Sequence, residues 1–364
     1  MSNEMNSRER VLAAINHRPV DRVPTDIWAT DEVMKKLIEH FGSIETAYDH
    51  LHIDGLPGIS AKYIGPAFPD FPAGTDDHTA VFYGIWGMGL KKADYQTGVY
   101  LEQANYPLAY AHTIQDLEEF PWPSADWFDY SEMRSQAEKL HTTHAVSCGY
   151  MAPFYLHNLL RGLETSLIDP LEDPEFTQLL LNKICEFEYD YHRRMFEACD
   201  GLIDIAQVTD DLGSQNGPLI GLRTYRNFYA PHHKRFINLC HEFGIKVFHH
   251  DDGSMRAFLP DLIDLGIEIL NPVQWTCPGM DMTSLKRDFG QHICFHGAID
   301  NQKILPFGTP DDVRTEVRHC IDSLASDGTG YILAPCHNIQ AITPIENILA
   351  MYDEAWNYGK LIRS

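Results

Sequence analysis

The sequence has no long apolar run, no basic block and no closely spaced pair of cysteines. No apolar stretch approaches the ~18 residues of a membrane-spanning helix, and the polar N-terminal segment lacks the apolar core of a signal peptide. Acidic residues (52) outnumber basic ones (28), giving a net charge of -24. No segment is basic enough to follow a phosphate backbone. Together with eight scattered cysteines, these absences predict a cytoplasmic protein without membrane or nucleic-acid partners.

The common signatures of nucleotide binding and hydrolysis are also missing. There is no GxGxxG, GxxxxGK[ST], GxSxG or HExxH motif. What the sequence does contain is 44% hydrophobic residues, enough to bury a large core. No linker, repeat or low-complexity tract divides it, so we predict a single domain over residues 1–364.

Short β-rich runs alternate with helical patterns, most clearly in the second half. The runs lie at 201–208, 246–250, 267–273, 292–295 and 330–334, and this alternation predicts a parallel sheet covered by helices. Each run ends in polar residues. A doubly wound sheet would concentrate such residues near one switch point, whereas a barrel places them at every strand end. We therefore predict an α/β fold of the (β/α)₈ TIM barrel class.

The first half is less regular. Segment 8–17 is predicted as an entry helix and 22–28 as a first strand, whereas 57–105 is rich in glycine, proline and aromatic residues and is predicted as a rim or lid insertion. Two later helices should begin with a threonine cap followed by proline, at Thr309 and Thr343.

Two histidines and two aspartates end the run at 246–250. Strand alternation predicts that His250 and Asp252 share one face, while His249 and Asp251 share the other. Imidazole and carboxylate both bind Zn²⁺ at about 2.0–2.2 Å.

A third zinc ligand would come from the thiol and imidazole that follow the last strand, Cys336 or His337. Three protein ligands leave the open position that a catalytic zinc requires. The same groups can instead bind an organic substrate without metal, and Cys336 can be a small buried apolar residue.

Other polar strand ends are catalytic or substrate-binding candidates. Asp210 and Asp211 suit general acid and base chemistry, or alternatively a helix cap or the orientation of a metal-bound histidine. His296 is a third catalytic candidate, with a hydrogen-bonded residue of the barrel mouth as the alternative. Substrate-binding candidates at strand ends are Asp26, Tyr150 and Gln274.

Several segments resemble the uroporphyrinogen decarboxylase superfamily. They are RVLAAINHRPVDRVP at 10–24, FHGAID at 295–300, YILAPCHN at 331–338 and PIEN at 344–347, and the similarity covers nearly the whole chain. This resemblance implies a (β/α)₈ barrel. It also implies one of two branches, the cofactor-free porphyrinogen decarboxylases or the zinc-dependent methyltransferases that work with corrinoid proteins.

The residues favour the methyltransferase branch. True uroporphyrinogen decarboxylases carry an arginine-rich segment after the first strand, whereas residues 26–33 read DIWATDEV here and match a polycarboxylate substrate poorly. The methyltransferases carry a His-x-Cys-Gly zinc motif and a later cysteine. The resemblance places Asp252 in the position of the first cysteine and His337 or Cys336 in that of the second, which implies a harder, more Lewis-acidic zinc site.

The resemblance therefore implies transfer of a methyl group from a small O- or N-methyl donor to a corrinoid protein, or from that protein to a carrier. Zinc would stabilise charge on the leaving atom. Four aromatic residues of the insertion would hold an aromatic or cationic donor, or else form a packed rim: Tyr63, Phe82, Tyr83 and Trp86. A metal-free decarboxylase and a non-catalytic ligand-binding barrel remain alternatives, and a homodimer is left open.

Overall fold

The computed structural model describes residues 4–67, 80–95 and 98–360. Seven strands form one parallel sheet in the order β1-β7-β8-β9-β10-β11-β12. The strands are β1 (Gly58–Ile59), β2 (Lys62–Tyr63), β3 (Ala80–Tyr83), β4 (Gly89–Tyr95), β5 (Gly98–Gln103), β6 (Phe128–Asp129), β7 (Ser147–Met151), β8 (Ile205–Val208), β9 (Lys246–His250), β10 (Ile269–Asn271), β11 (Cys294–Ile299) and β12 (Tyr331–Pro335).

Helices alternate with the sheet strands and pack against them. They are α1 (Ser7–Ile15), α2 (Asp31–Phe41), α3 (Ile44–Leu51), α4 (Ile114–Glu119), α5 (Met133–His141), α6 (Pro153–Arg161), α7 (Leu163–Glu172), α8 (Pro174–Cys199), α9 (Leu222–Thr224), α10 (Ala230–Glu242), α11 (Leu259–Leu265), α12 (Met282–Phe289), α13 (Ile304–Phe307), α14 (Pro310–Leu324) and α15 (Ile345–Tyr358). Every residue of β10, β11 and β12 is buried, as expected for parallel strands covered on both faces. No helix in the described ranges has the length and apolar content needed to cross a bilayer.

One apolar cluster positions the candidate site. It contains one residue from each of five neighbouring strands, β8 to β12: Ile205, Phe248, Ile269, Cys294 and Ile332. These residues pack against three residues of α1: Val11, Ala14 and Ile15. Because alternate strand residues point the same way, His250 follows Phe248 on this inner face. The polar residues at the carboxyl ends of β9 and β12 therefore lie next to this apolar cluster.

The first predicted strand is not regular. Within 22–28, Thr25 makes an isolated parallel bridge to Leu333; just after this range, Ala29 makes another to Ile339. The Thr25 carbonyl also accepts hydrogen bonds from the amides of residues 54 and 55. The parallel α/β architecture is confirmed, whereas closure into eight strands stays a prediction.

Several predicted boundaries were wrong, and two of them change the role assigned to a residue. The strand predicted to stop at residue 295 continues to Ile299, because Gly297 and Ala298 still pair with β12. His296 thus lies inside a strand and not after it. Thr309 caps α14 with a full capping box, as predicted. Thr343 does not cap α15, because the helix begins one residue later and Pro344 occupies the cap position.

The predicted insertion at 57–105 has two parts. Its first residues form β1 of the main sheet, while β3, β4 and β5 form a separate antiparallel sheet. A role for this small sheet as a lid stays a prediction.

A buried carboxylate anchors the N-terminal segment to the approach to β1. Asp54 accepts a hydrogen bond from Arg10 Nη1 at 2.6 Å and one from Arg22 Nη1 at 2.8 Å. The backbone amide of Thr25 donates to the same carboxylate at 3.0 Å. The Asp54 side chain is fully buried and pairs with both guanidinium groups. Arg10 is also paired with Asp21, which accepts from its Nε at 2.6 Å and from its Nη2 at 2.7 Å, so Arg22 depends most on Asp54 for charge neutralisation.

Candidate metal centre and adjoining cavities

Two histidines and one aspartate meet at the carboxyl end of the sheet. One ligand atom from each of His250, Asp252 and His337 lies within 4.8 Å of the other two. His250 ends β9, and His337 follows β12 by two residues. The Nε2 atom of His250 is 4.0 Å from Asp252 Oδ2 and 3.8 Å from Asp211 Oδ1. Two imidazoles and one carboxylate therefore converge on the inner face, and the Asp211 carboxylate lies beside His250.

Hydrogen bonds across three strands orient His250. Its Nδ1–H donates to the Asn271 amide oxygen at 2.6 Å, and the Asn271 amide nitrogen donates to His296 Nδ1 at 2.7 Å. His296 then donates from Nε2 to Asp26 Oδ2 at 3.0 Å. Because an amide oxygen only accepts, this chain places the His250 proton on Nδ1 and leaves Nε2 free as a ligand.

Asp26 and His296 lie behind the centre rather than on it. Their exposed fractions are 4% and 0%, and within the hydrogen-bond chain they reach His250 only through Asn271. The sequence predicted the first for substrate binding and the second for catalysis. Asn271 was not singled out at all, although it is a polar residue ending an apolar run.

An indole forms one wall of the centre. The Trp28 ring centroid lies 5.5 Å from that of His250 and 6.2 Å from that of His337, the latter edge-on. Its Nε1–H donates to Asp26 Oδ2 at 3.1 Å. Trp28 also escaped sequence analysis, since an isolated tryptophan in a polar segment carries no distinguishing pattern.

Burial drives two groups of the centre toward their neutral forms. Burial lowers the pKa of His337, an effect that the carboxylate of Asp252 opposes. Burial likewise raises the pKa of Asp252, while His250 and His337 lower it. The His337 Nδ1 accepts a hydrogen bond from the Asn338 amide at 2.8 Å, so Nε2 is the nitrogen available to other partners.

Cys336 does not join this group. Its thiol contacts the Val273 carbonyl at 3.4 Å, and the residue is 5% exposed. Burial raises the pKa of this thiol well above its usual value. Cys336 nevertheless lines the same cavity as Asp252 and His337, so the structure separates the two neighbours that the sequence left as alternatives.

The centre opens into a cavity of about 510 Å³. Its walls carry five side-chain amides and three apolar residues besides Asp252, Cys336 and His337: Gln215, Gln274, Asn301, Gln302, Gln340, Pro306, Phe307 and Ile342. Gln274, predicted to bind substrate, accepts a hydrogen bond from the Gly253 amide at 2.9 Å. No lysine or arginine lines this cavity among the residues described.

The opposite face of β9 is buried and polar. Asp210 accepts hydrogen bonds from His233 Nε2 and from the Tyr155 amide, each at 2.8 Å. His249 lies 3.5 Å from Asp251 on this side, and both side chains are fully buried. The predicted alternation along β9 is thus confirmed. Asp210, which follows β8, lies on this buried side, whereas its neighbour Asp211 lies beside the centre.

The remaining predicted substrate residues lie elsewhere. Tyr63 and Tyr150 line a second cavity of about 670 Å³, which shares no lining residue with the first. Trp86 is 6% exposed and packs edge-on against Phe187 with ring centroids 5.2 Å apart. The side chains of Phe82 and Tyr83 lie outside the described residues.

The family assignment rests on most of the chain. Residues 92–358 match the family described as uroporphyrinogen decarboxylase (URO-D). The chain belongs to the URO-D family. Within that family, the inner-face centre carries no arginine cluster in the region described, consistent with the acidic segment at 26–33.

Two proteins similar to this chain over half of its length or more are methyltransferases. A methylated-thiol–coenzyme M methyltransferase of Methanosarcina mazei is 27% identical over 203 residues, which are 55% of this chain and 49% of that protein, or about half its length. A methylcobamide:CoM methyltransferase of the same organism is 22% identical and covers 98% of this chain and 99% of its own.

A solved structure shares the fold. A methyltransferase from Methanosarcina mazei superposes with a TM-score of 0.67 at 18% identity, covering 98% of this chain and 99% of its own. The expected place of the chain on the methyltransferase branch is confirmed. These relatives also support an enzyme of the methyltransferase type.

Proposed function

We propose that the chain is a zinc-dependent methyltransferase of a corrinoid system, moving a methyl group from a small O- or N-methyl donor to a corrinoid protein. The observation that carries this proposal is the grouping of His250, Asp252 and His337 beside a cavity whose described lining contains no lysine or arginine. The methyltransferase relatives support it.

The residues present fit a divalent cation. Three donor atoms already converge, the His250 tautomer leaves Nε2 available, and Asp211 adds a second carboxylate near it. Two neutral imidazoles with two carboxylates form a net negative cluster, which a cation would neutralise. Binding through His337 Nε2 requires the ring proton on Nδ1, so the contact from the Asn338 amide has to be given up.

In this proposal each residue has a distinct task. His250, Asp252 and His337 hold zinc, which when bound supplies Lewis-acid stabilisation of charge on the leaving oxygen or nitrogen. Asp211, with a side chain 38% exposed, would relay a proton from solvent water to the leaving atom. Gln274 contacts the donor from the cavity wall.

Asp26 and His296 act as positioning residues through Asn271, because both are buried behind the centre. Asp210 is a positioning residue on the other side of β9: its carboxylate accepts from His233, and its backbone amide donates to the His250 carbonyl.

The donor set and the cavity support a direction of transfer from the methyl donor to the corrinoid protein. Carboxylate and imidazole ligands leave zinc more Lewis acidic than thiolates do, which suits release of a poor leaving group better than activation of a thiol. A cavity lined by amides and lacking lysine and arginine suits a neutral or cationic donor. We therefore place the chain on the methyl-donor side.

The corrinoid partner would meet the enzyme at the mouth of this cavity. Phe307 and Ile342 line it and are 71% and 43% exposed, leaving an apolar rim that a protein partner would cover.

We also propose that the segment around Thr25 completes an eighth strand between β12 and β1, within a single domain. All eight cysteines are free, which fits a reducing cytoplasm.

Methylation of free cob(I)alamin tests this function. Zinc-loaded enzyme should form methylcobalamin, seen by its absorbance, with at least one donor from a panel of methanol, methoxyarenes and methylamines. Uroporphyrinogen should release no CO₂. The proposal is contradicted if no donor is used while methylcobalamin is demethylated by a thiol, which would place the chain on the acceptor side.

Replacing Asn271 by alanine should weaken zinc binding by about 10- to 100-fold, the usual cost of losing the partner that orients a ligating histidine. Competition with a chromogenic chelator measures this. Asn271→Asp should recover part of the loss, because its carboxylate still accepts from His250 Nδ1. Asn347→Ala removes a buried asparagine that donates to Leu305 and Gly308 carbonyls, and should leave zinc affinity unchanged.

A further inference from the structure

The second cavity lies between α8 and strands β1 and β7. It is about 670 Å³ and mostly apolar, and it contains one acidic side chain, that of Glu188. Glu188 is 6% exposed. No lysine or arginine of the described residues lies within ion-pairing distance of its carboxylate, and no charged neighbour contributes to its pKa. Burial alone raises that pKa to about 8.

The adjacent histidine does not supply the missing charge. His192 donates from Nδ1 to the Glu188 backbone carbonyl, and its Nε2 accepts a hydrogen bond from the Tyr150 amide at 2.9 Å. Both nitrogens are thus assigned to a neutral ring, and burial lowers the pKa of His192 to about 4. The 3.4 Å approach of Nδ1 to Glu188 Oε2 is therefore not an ion pair.

The residue before Tyr150 in β7, Gly149, makes room for this contact. Gly149 has a φ of +92°, and a Cβ built there would lie 2.5 Å from the His192 ring. Only glycine both adopts this backbone conformation without strain and leaves room for the imidazole. The His192 ring is thereby held in the cavity wall in its neutral form.

Aromatic rings form much of the remaining wall. Tyr63 lies edge-on to Phe128 at 5.5 Å, and Phe128 lies 4.4 Å from Tyr191. Phe187 stacks on Tyr191 with centroids 5.7 Å apart. All four rings line the cavity with Glu188. Several aromatic rings lining one cavity with a carboxylate form an arrangement suited to organic ammonium ions.

We propose that this second cavity binds an organic ammonium cation, whose charge is neutralised by Glu188 and whose alkyl groups contact the rings of Tyr63, Phe128, Phe187 and Tyr191. A neutral apolar ligand would satisfy the rings but leave the carboxyl without a partner. A metal ion would find one carboxylate and no second anionic ligand. The site is distinct from the proposed zinc centre, because the two cavities share no lining residue.

Protonation of Glu188 predicts how binding depends on pH. The other titratable groups of the described lining are Tyr63, Tyr150 and Tyr191, Cys148 and His192. Burial raises the pKa of each phenol and of the thiol, while His192 titrates near pH 4. Only Glu188 therefore changes charge between pH 6 and 9. Cation affinity should rise with pH through the Glu188 pKa of about 8.

Choline and 3,3-dimethylbutan-1-ol test the proposal, since they have the same shape and differ in charge. Calorimetry at pH 9 should show choline binding at least about tenfold tighter than the neutral alcohol. At pH 6.5 choline should bind at least about tenfold more weakly than at pH 9, because the carboxyl is then largely protonated. Equal affinity for the two probes overturns the proposal, as does the absence of saturable choline binding in the millimolar range.

Variants locate the site. Glu188→Gln should weaken choline binding at pH 9 at least about tenfold, abolish its pH dependence and leave the alcohol unaffected. Glu316→Gln is the matched control, because it removes another buried carboxyl whose pKa is raised to about 7 and which does not line this cavity. Phe128→Leu should reduce choline affinity more than alcohol affinity.

Removing zinc with a chelator separates this inference from the proposed function. Choline binding should be unchanged without zinc, whether or not the protein transfers methyl groups. Loss of choline binding on zinc removal would place the cation in the first cavity and overturn the inference, as would normal choline binding by Glu188→Gln.

Discussion

Zinc should fall from about one ion per chain to less than about a tenth when His250 is replaced by alanine, because the loss of a direct ligand costs more than the 10- to 100-fold of a supporting residue. His250 is the best-prepared ligand, since its Nδ1 proton is fixed by Asn271 and Nε2 faces Asp252 and Asp211. Elemental analysis after dialysis measures the metal. Methyl transfer should fall at least in proportion.

Two variants sharpen this result. His249→Ala removes the neighbouring imidazole, which faces the buried side of β9, and should leave zinc content near one per folded chain. Asp252→Cys should retain zinc, because a thiolate binds zinc at least as well as a carboxylate. Unchanged zinc in His250→Ala, or complete loss in Asp252→Cys, would show that the ion lies elsewhere.

Replacing Asp54 by alanine should destabilise the protein by about 3–5 kcal/mol, the typical cost of removing one partner of a buried ion pair. Arg10 is 4% exposed and Arg22 is 6% exposed, so neither guanidinium regains its hydration when the carboxylate is removed. The Thr25 amide also loses its acceptor. Urea unfolding followed by circular dichroism measures the change.

Asp49→Ala, an exposed aspartate in α3, is the control and should shift stability by no more than about 0.5 kcal/mol. Asp54→Asn keeps acceptor and donor atoms but lacks charge, so it should fall between the two. If Asp54→Ala unfolds at the same urea concentration as wild type, the buried pairs do not hold the N-terminal segment to the sheet.

The side-chain alternation of β9 could be predicted from sequence because it is a local property. His250 and Asp252 face one way in any extended strand. The position of His337 beyond the last strand followed from the tendency of polar residues to gather at strand ends. Both predictions needed only neighbouring residues, and the structure brings these three side chains together.

Asn271 could not be found this way, because its role depends on strand register. Asn271 pairs with His250 across β9 and β10, and His296 comes next in β11 at the same level. A shift of one residue would turn Asn271 away from both. Nothing in the separate segments fixes that register. The burial of Asp26 and His296 behind the centre likewise depends on how distant segments of the chain pair with one another.

Glu188 was missed for a related reason. Helix α8 has several acidic residues, and the sequence does not show which of them turns toward the sheet. The rotation of the helix is set by how its apolar residues pack against β1 and β7. That packing places Glu188 in a cavity with Tyr63 and Tyr150, which the sequence had predicted to bind substrate, whereas Gln274 lines the other cavity.

The sequence by itself determined the acidic, βα-repeating character of the chain, the polar strand ends and the facing pair His250 and Asp252. Only the tertiary structure decided that His337 rather than Cys336 joins them, that Asn271 links the pair to His296, and that two separate cavities exist. The physical reason is the distance along the chain between the residues that interact. Side-chain alternation repeats every two residues along one strand, whereas register, helix rotation and burial depend on contacts between segments distant in the chain.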